Sequence, residues 1–375
     1  MSSLPYDNSS PLAQMVPTGV RGGGGIATAD GRLEHVEALR GIACLMVVAY
    51  HVVGNNSAHG LHVADDTAWG HLTIALDTLQ MPLFAFLAGR VFSVPTDDIG
   101  RFGAGLAKKL MRLALPLLSV TILHALVVRA TGMGRPVGPF DLFLTSYEHL
   151  WFLQATIVLV TVASLGRWVT RAHPTAFAVG AFAVALGVFL AAPILPFNLF
   201  SAQQAMFLAP YFFLGHLFGA TSTSIGGRIE RSSSPFGRAV LIAAIAVAAT
   251  WLASTAPLRP LTPQVLQSVA AFALAAATAV AAMILRPRGA LLEELGARSY
   301  TIYLFHIFFT APTRMVVLKI WPEAPTVVLF VAAATVGVAV PWFLHDVVRR
   351  GRLSSLLLLG LPPRTRRDPV GERST

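Results

Sequence analysis

The chain consists largely of apolar runs, each long enough to cross the ~30 Å hydrocarbon layer of a membrane as a helix of about 20 residues. Only 12% of its residues are charged and its mean hydropathy is +0.65, whereas soluble domains average about 25% charged residues. The sequence therefore predicts an all-α, polytopic membrane bundle of about ten transmembrane helices. The ten runs are 38–54, 70–92, 107–128, 149–165, 175–193, 203–220, 238–255, 264–285, 299–319 and 325–347.

Lysine and arginine are distributed unevenly between the two sides of such a bundle. If the N-terminus is inside, 23 of the 28 basic residues fall in cytoplasmic segments and 5 in outer segments. Positive residues favour the cytoplasmic side, so we expect both termini to be cytoplasmic. The predicted organisation is a disordered cytosolic tail (1–32), a transmembrane domain (33–350) and a basic cytosolic tail (351–375).

Composition argues against nucleic-acid binding, against a disulfide and against a cysteine-based metal site. The net charge of +10 lies between apolar runs rather than in a basic stripe with aromatics, so no nucleic-acid partner is expected. Cys44 is the single cysteine, which excludes an intramolecular disulfide and a cysteine-based metal site. No metal site is predicted.

Three ionisable residues share one face of the first predicted span. Residues on a helix are separated by about 100°, which places Arg40 and His51 within about 20° of each other and ~16 Å apart along the axis. Glu37 lies close to the same face and is the expected ion-pair partner of Arg40. Ionisable groups inside a membrane usually face the bundle interior and mark function. An orienting arginine and a packed histidine remain the alternatives.

Several segments together carry a family resemblance. "LEHVEALRGIACLMVVAYH" (33–51) contains an acidic residue, Leu-Arg-Gly, and a histidine eleven residues after the arginine. With five later segments in matching order, it resembles the acyltransferase-3 family of integral membrane acyltransferases over roughly residues 33–345. Those segments are "MPLFAFLAGRVF" (81–92), "KKLMRLALPLL" (108–118), "HLWFL" (149–153), "YFFLGHLFG" (211–219) and "SYTIYLFH" (299–306). Ala88 departs from the family's usual serine, and lysine replaces arginine at 108 and 109.

The resemblance implies an inner-membrane, multi-pass O-acyltransferase. Such an enzyme moves an acyl group, commonly acetyl, from cytoplasmic acyl-CoA to a hydroxyl, often of a sugar in a surface polysaccharide or lipid-linked glycan. Acyl-CoA is then a co-substrate, and no cofactor is bound permanently. By the same resemblance, His51 is the essential catalytic residue and Arg40 is also needed. A neutral imidazole, with an ordinary pKa of about 6.5, suits a base that activates a hydroxyl.

A basic cluster is expected at the cytoplasmic mouth of the bundle. Arg40, Lys108, Lys109 and Arg112 could bind the phosphates of CoA, or the three residues of the third span could serve only to orient the protein. The ~16 Å rise from Arg40 to His51 is comparable with an extended pantetheine arm. The thioester could then reach His51 while the nucleotide remains on the cytoplasmic side.

Two further groups of candidates lie nearer the outer face. We expect Ser299, Tyr303 and His306 to form a polar stripe in the ninth span that supports catalysis. On the acceptor side the candidates are Glu148, His149 and Trp151. An interfacial histidine and an aromatic-belt tryptophan are the alternatives for the last two.

A transporter or flippase of an acyl or glycan substrate is the competing functional hypothesis. Its polar stripes would line a path, and paired broken helices near the midplane would be typical of it. No internal repeat is evident in the sequence. A non-catalytic membrane assembly protein is a third possibility, which the intramembrane arginine and histidine disfavour.

Overall fold

The computed structural model describes residues 27–54, 59–132, 138, 140–191, 195, 198–220 and 264–361. All regular elements in these ranges are helical, which confirms the predicted all-α fold. Two 3-10 turns, Glu148–Leu150 and Leu199–Ser201, precede the fifth and seventh helices. The helices are α1 (Ala27–Val53), α2 (Ala68–Arg90), α3 (Ile99–Thr131), α4 (Asp141–Leu144), α5 (Trp151–Val169), α6 (Pro174–Ala191), α7 (Ala202–Ala220), α8 (Gln264–Leu285), α9 (Ala290–Phe305), α10 (Ile307–Ile320), α11 (Thr326–Arg350) and α12 (Arg352–Leu359).

Six helical segments in the described part of the chain are long and apolar enough to cross a membrane, or seven if α9 and α10 count as one span. The predicted count of about ten is therefore not established. The seventh predicted span, 238–255, lies outside the described residues. The eighth, 264–285, coincides with the helix α8, and its stretch 270–285 is apolar.

Helices α1 and α9 pack backbone to backbone through two glycines. A Cβ atom on Gly296 would lie 1.8 Å from the carbonyl oxygen of Glu37, and one on Gly41 would lie 2.3 Å from that of Leu292. Small residues allow this close approach between membrane helices. One turn further on, the Cys44 thiol lies 3.7 Å from the Ser299 carbonyl oxygen. Residues 37, 44 and 51 of α1 thus lie beside residues 296, 299 and 306 respectively, so α1 and α9 run parallel, as the predicted first and ninth spans require.

The ninth predicted span is not the single helix expected over 299–319. Helices α9 and α10 meet at His306 at an angle of 71°. Such a break leaves backbone carbonyls without helical partners, and in a membrane these must be satisfied by other groups. Imidazole N–H groups do so here, because His306 Nδ1 lies 2.8 Å from the Tyr303 oxygen and His149 Nε2 lies 3.3 Å from the Leu304 oxygen.

The segment expected to be a basic C-terminal tail begins with a packed helix. Leu359 and Leu361 are fully buried, and α12 lies against α3. Gly360 adopts a left-handed φ of 61°, where its hydrogen faces the backbone of Arg112; a Cβ would lie 2.4 Å from that carbonyl oxygen. The apolar run after Arg352 explains the packing. At the other end of the chain, α1 begins at Ala27, inside the segment 1–32 that was expected to be disordered.

Candidate active site

Three histidines from distant parts of the sequence form a compact group, here called the histidine cluster: His51 of α1, His149 of the 3-10 turn before α5, and His306 at the α9–α10 break. Ring centroids are 4.8 Å apart for His51 and His306, 5.3 Å for His149 and His306, and 6.2 Å for His51 and His149. His306 is completely buried and His51 is partly exposed. The three residues were predicted separately, and the structure brings them together.

Backbone carbonyls fix which nitrogen of each ring carries the proton. A carbonyl oxygen can only accept a hydrogen bond, so the nitrogen that faces it must be the N–H. By this criterion His51 Nδ1 donates to Val47 (2.8 Å), His306 Nδ1 to Tyr303 and His149 Nε2 to Leu304. The opposite nitrogens of the neutral rings are therefore unprotonated. His149 Nδ1 and His306 Nε2 are buried and have no hydrogen-bond partner among the described residues.

A strained turn holds His149 in the cluster. Glu148 has a φ of 44°, in the left-handed region that non-glycine residues rarely adopt. The Tyr303 hydroxyl donates to the His149 carbonyl oxygen, and the two rings are 5.6 Å apart. Such strain persists where the surrounding structure compensates for it, which is common at functional sites. Tyr303 thus holds the turn that carries His149, and its predicted role in supporting catalysis stays a prediction.

Arg40 and Glu37 form a buried ion pair, as the sequence predicts. Arg40 is 1% exposed, and its Nη1 contacts Glu37 Oε1. Arg40 Nε and Nη2 and Glu37 Oε2 are also buried, and none has a hydrogen-bond partner in the described part of the chain. Buried charged groups are costly unless they are satisfied. The two unused arginine nitrogens are therefore suited to an anionic ligand.

The basic residues of α3 divide between two faces. Lys109 and Arg112 are buried on the bundle side, and Lys108 is exposed on the other side. The Lys109 ammonium lies 5.6 Å from the ring centroid of Phe92, a distance at which a cation and an aromatic ring attract each other. Of the three α3 residues expected to bind CoA, two are therefore buried on the bundle side and one is not.

Cations and histidines lie several turns apart along the same helices. In α1, Arg40 precedes His51 by ~16 Å, and in α3, Arg112 precedes His124 by ~18 Å, at 1.5 Å per residue. Helix α3 runs alongside α9 and α10, because the Tyr300 hydroxyl bonds the Arg112 carbonyl (3.2 Å) and the His124 ring lies 5.6 Å from Phe308. The site therefore has a cationic end and a histidine end.

Several predicted residues do not reach the histidine cluster. The Ser299 hydroxyl donates to the Gly296 carbonyl (2.7 Å), one turn back along α9. Glu148 is exposed, and the ring of Trp151 is partly buried against Phe152, with centroids 6.1 Å apart. Ser299 therefore completes the α1–α9 interface rather than the predicted polar stripe with Tyr303 and His306.

The structure also shows a site residue that the sequence did not single out. His124 is 8% exposed, and its Nδ1 lies 2.8 Å from the Tyr147 hydroxyl oxygen. The His124 and His149 rings are 6.3 Å apart. In the sequence, His124 only continues an apolar stripe of α3 through Leu113, Leu117 and Val120 at helical spacing, which is also the pattern of a packed residue.

No group of three or more His, Cys, Asp or Glu side chains in the described ranges is placed to hold a metal ion. The unprotonated nitrogens of the histidine cluster can accept a hydrogen bond from a hydroxyl or another donor. Such nitrogens can accept a proton from that donor.

The sequence range that holds these residues matches a known protein family. The family model Acyl_transf_3, described as an acyltransferase domain, matches residues 33–346. Curated proteins and solved structures gave no significant match to the chain. The matched range begins just before Glu37 and ends in α11, so it contains the histidine cluster and the cationic end of the site.

Proposed function

Because the chain belongs to the acyltransferase-3 family and is a membrane acyltransferase, we propose that it transfers an acyl group, commonly acetyl, from cytoplasmic acyl-CoA to a hydroxyl. The acceptor class is a sugar of a surface polysaccharide or a lipid-linked glycan, and the location is the inner membrane with both termini cytoplasmic. One observation carries the proposal: the unprotonated Nε2 of His51 and the unsatisfied buried nitrogens of Arg40 lie on the same helix.

His51 acts as the base in this mechanism. Its Nε2 removes the proton of the acceptor hydroxyl as the oxygen attacks the thioester carbonyl. The carbon–sulfur bond then breaks, and the same proton passes to the departing CoA thiolate, which gives an ester and free CoA. The hydrogen bond from Nδ1 to Val47 keeps the ring oriented during both transfers. His306, 4.8 Å from His51 between ring centroids, supports it from the broken helix.

The donor binds at the cationic end. Arg40 Nε and Nη2 are buried donors that the phosphates of CoA would satisfy, and Lys109 and Arg112 add positive charge on the inner face of α3. From there an extended pantetheine arm covers the ~16 Å between Arg40 and His51. The acceptor then approaches from the histidine end.

The broken α9–α10 span is the one observation that favours a transporter, because such carriers use discontinuous helices. They typically use them in pairs, and in the described part of the chain α9 and α10 form a single broken pair. Two of its carbonyl oxygens accept hydrogen bonds from His306 and His149. The break thus holds two histidines of the candidate site in place, which suits the acyltransferase proposal.

The decisive variant is His51→Gln, which preserves polarity and removes the base. Purified protein is assayed for thiol release from acetyl-CoA and for ester formation on the unacylated glycan fraction of cells that lack the gene. We expect both rates to fall by about 10²-fold or more, the usual contribution of a general base. His71→Gln, at an exposed position of α2, is the matched control and should retain activity. Full activity of the His51 variant would exclude the mechanism.

A further inference from the structure

His124 and Tyr147 form a polar pair beside the histidine cluster that the proposed mechanism does not use. The pair joins α3 to the turn before α5 through a 2.8 Å contact between His124 Nδ1 and the Tyr147 hydroxyl. Both side chains are nearly but not completely buried, at 8% and 5% exposed. Tyr147 is followed directly by the exposed, strained Glu148 and by His149.

The pair has hydrogen-bonding capacity left after its internal contact. A tyrosine hydroxyl has one hydrogen and two acceptor sites, and a neutral imidazole has one N–H and one bare nitrogen. If the hydroxyl donates to Nδ1, then Nε2 of His124 keeps its hydrogen for another group. If Nδ1 donates instead, the tyrosine hydrogen and the bare Nε2 remain for a ligand. In either tautomer the pair can bind one further polar group.

The pair lies beside the histidine cluster and away from the cationic end of the site. The His124 ring is 6.3 Å from His149, which is in turn 5.3 Å from His306 between ring centroids. The Phe308 ring also packs against His124 in an edge-to-face arrangement, with the two centroids 5.6 Å apart. The cationic end, at Arg112 of the same helix, is ~18 Å away along α3, which excludes a direct contact with the CoA phosphates.

We propose that His124 and Tyr147 form an acceptor subsite that hydrogen-bonds a hydroxyl adjacent to the one acylated at His51. This inference rests on the proposed function. The ligand is an uncharged polyhydroxyl group, because the pair offers neutral donors and acceptors and because the carboxylate of Glu148, the residue next to Tyr147, would repel an anion. The subsite thereby selects which hydroxyl reaches the base.

Removal of the Tyr147 hydroxyl or of the His124 imidazole tests the subsite. Tyr147→Phe and His124→Gln are compared with the wild type for acylation of the unacylated glycan fraction and for thiol release from acetyl-CoA without acceptor. A lost hydrogen bond predicts a rise of about three- to tenfold in the acceptor KM, with acceptor-free thiol release unchanged. The double variant should be little worse than either single variant, because the two groups act as one unit. Tyr211→Phe, a buried tyrosine of α7, is the matched control.

The possible outcomes separate the two proposals. If the wild type acylates the glycan fraction and both variants keep its acceptor KM, the subsite is wrong and the acyltransferase mechanism stands. A parallel loss of thiol release and transfer would show a structural role only and would also overturn the subsite. If the wild type acylates no component of the fraction, the proposed acceptor class fails, and the subsite fails with it.

Discussion

The buried ion pair of Arg40 and Glu37 is the feature on which the proposed donor binding depends. Arg40 reaches only one oxygen of Glu37, and the remaining polar atoms of both side chains are buried without partners in the described structure. Removing one member of such a pair leaves an uncompensated buried charge, whereas replacing both with apolar residues of similar size is often tolerated. This difference separates the structural role of the pair from its role in catalysis.

We predict that Glu37→Leu lowers the free energy of unfolding by about 3–5 kcal/mol, because it leaves the Arg40 guanidinium alone. The double variant Glu37→Leu/Arg40→Met should recover most of that loss and remain inactive. Thermal unfolding in detergent, together with thiol release from acetyl-CoA, measures both properties. A double variant that turns over acetyl-CoA normally would refute the assigned role of Arg40.

A milder change, at Arg40 alone, tests the proposed donor binding. Arg40→Lys keeps the charge and the partner but removes the additional N–H groups of the guanidinium. We expect the KM for acetyl-CoA to rise about tenfold, equivalent to ~1.4 kcal/mol, with little change in thermal midpoint. Arg101→Lys, in an exposed pair with Asp97, is the control and should leave the KM unchanged. An unaltered KM for the Arg40 variant would contradict phosphate binding there.

Among single residues, the sequence predicts that Glu37, Arg40 and His51 share one helix face, because helical periodicity within one span determines which residues lie on the same side. The family resemblance adds His149 and His306. His124 has no local signal, since a lone histidine at the end of an apolar stripe has the same pattern as a packed residue. Its place in the site is shown only by its contact with Tyr147, which lies 23 residues away along the chain.

Among the elements, the α1–α9 pair positions the histidine cluster. Parallel packing through Gly41 and Gly296 aligns His51 with His306 two to three turns later. The break after α9 could not be predicted, because the run 299–319 has no glycine and its proline, Pro312, lies after the break. The hydrogen bond that satisfies the Leu304 carbonyl comes from His149, 155 residues earlier in the chain.

We predict that Gly296→Ala separates α9 from α1, because its Cβ would lie 1.8 Å from the Glu37 carbonyl oxygen. Acyl transfer should fall at least tenfold and the thermal midpoint should drop, since backbone atoms cannot move aside as a flexible side chain can. Gly103→Ala in α3 has no atom within 4 Å of its added Cβ and is the control. Equal activity and stability in both variants would show that the close packing is unimportant.

Across the whole molecule, the two ends of the site are expected on opposite sides of the membrane. Lys108 and Glu148 are both exposed, and they mark the cationic end and the histidine end respectively. The sequence predicts this orientation from its excess of cytoplasmic arginine and lysine. The packing of α12 onto α3 was not predictable, because its eight residues are too few for a recognisable apolar period among the terminal arginines.

Cysteine labelling tests the orientation directly. In a Cys44→Ala background, which removes the single native thiol, Lys108→Cys and Glu148→Cys provide one reactive site each. A membrane-impermeant maleimide is applied to cells whose outer envelope has been removed and whose inner membrane is sealed. It should label position 148 and leave position 108 unlabelled. Inverted vesicles should give the reverse pattern. Labelling of both positions from one side would contradict the proposed topology.

The most direct test of the central claim is the sidedness of acyl transfer in proteoliposomes of uniform, known orientation. Radiolabelled acetyl-CoA is supplied on one face, and the unacylated glycan fraction is supplied on the other. We predict ester formation only when acetyl-CoA faces Lys109 and Arg112 and the glycan faces His149, with none for His51→Gln. Transfer with the two substrates exchanged, or transfer by the His51 variant, would contradict a path from cytoplasmic donor to outer hydroxyl through His51.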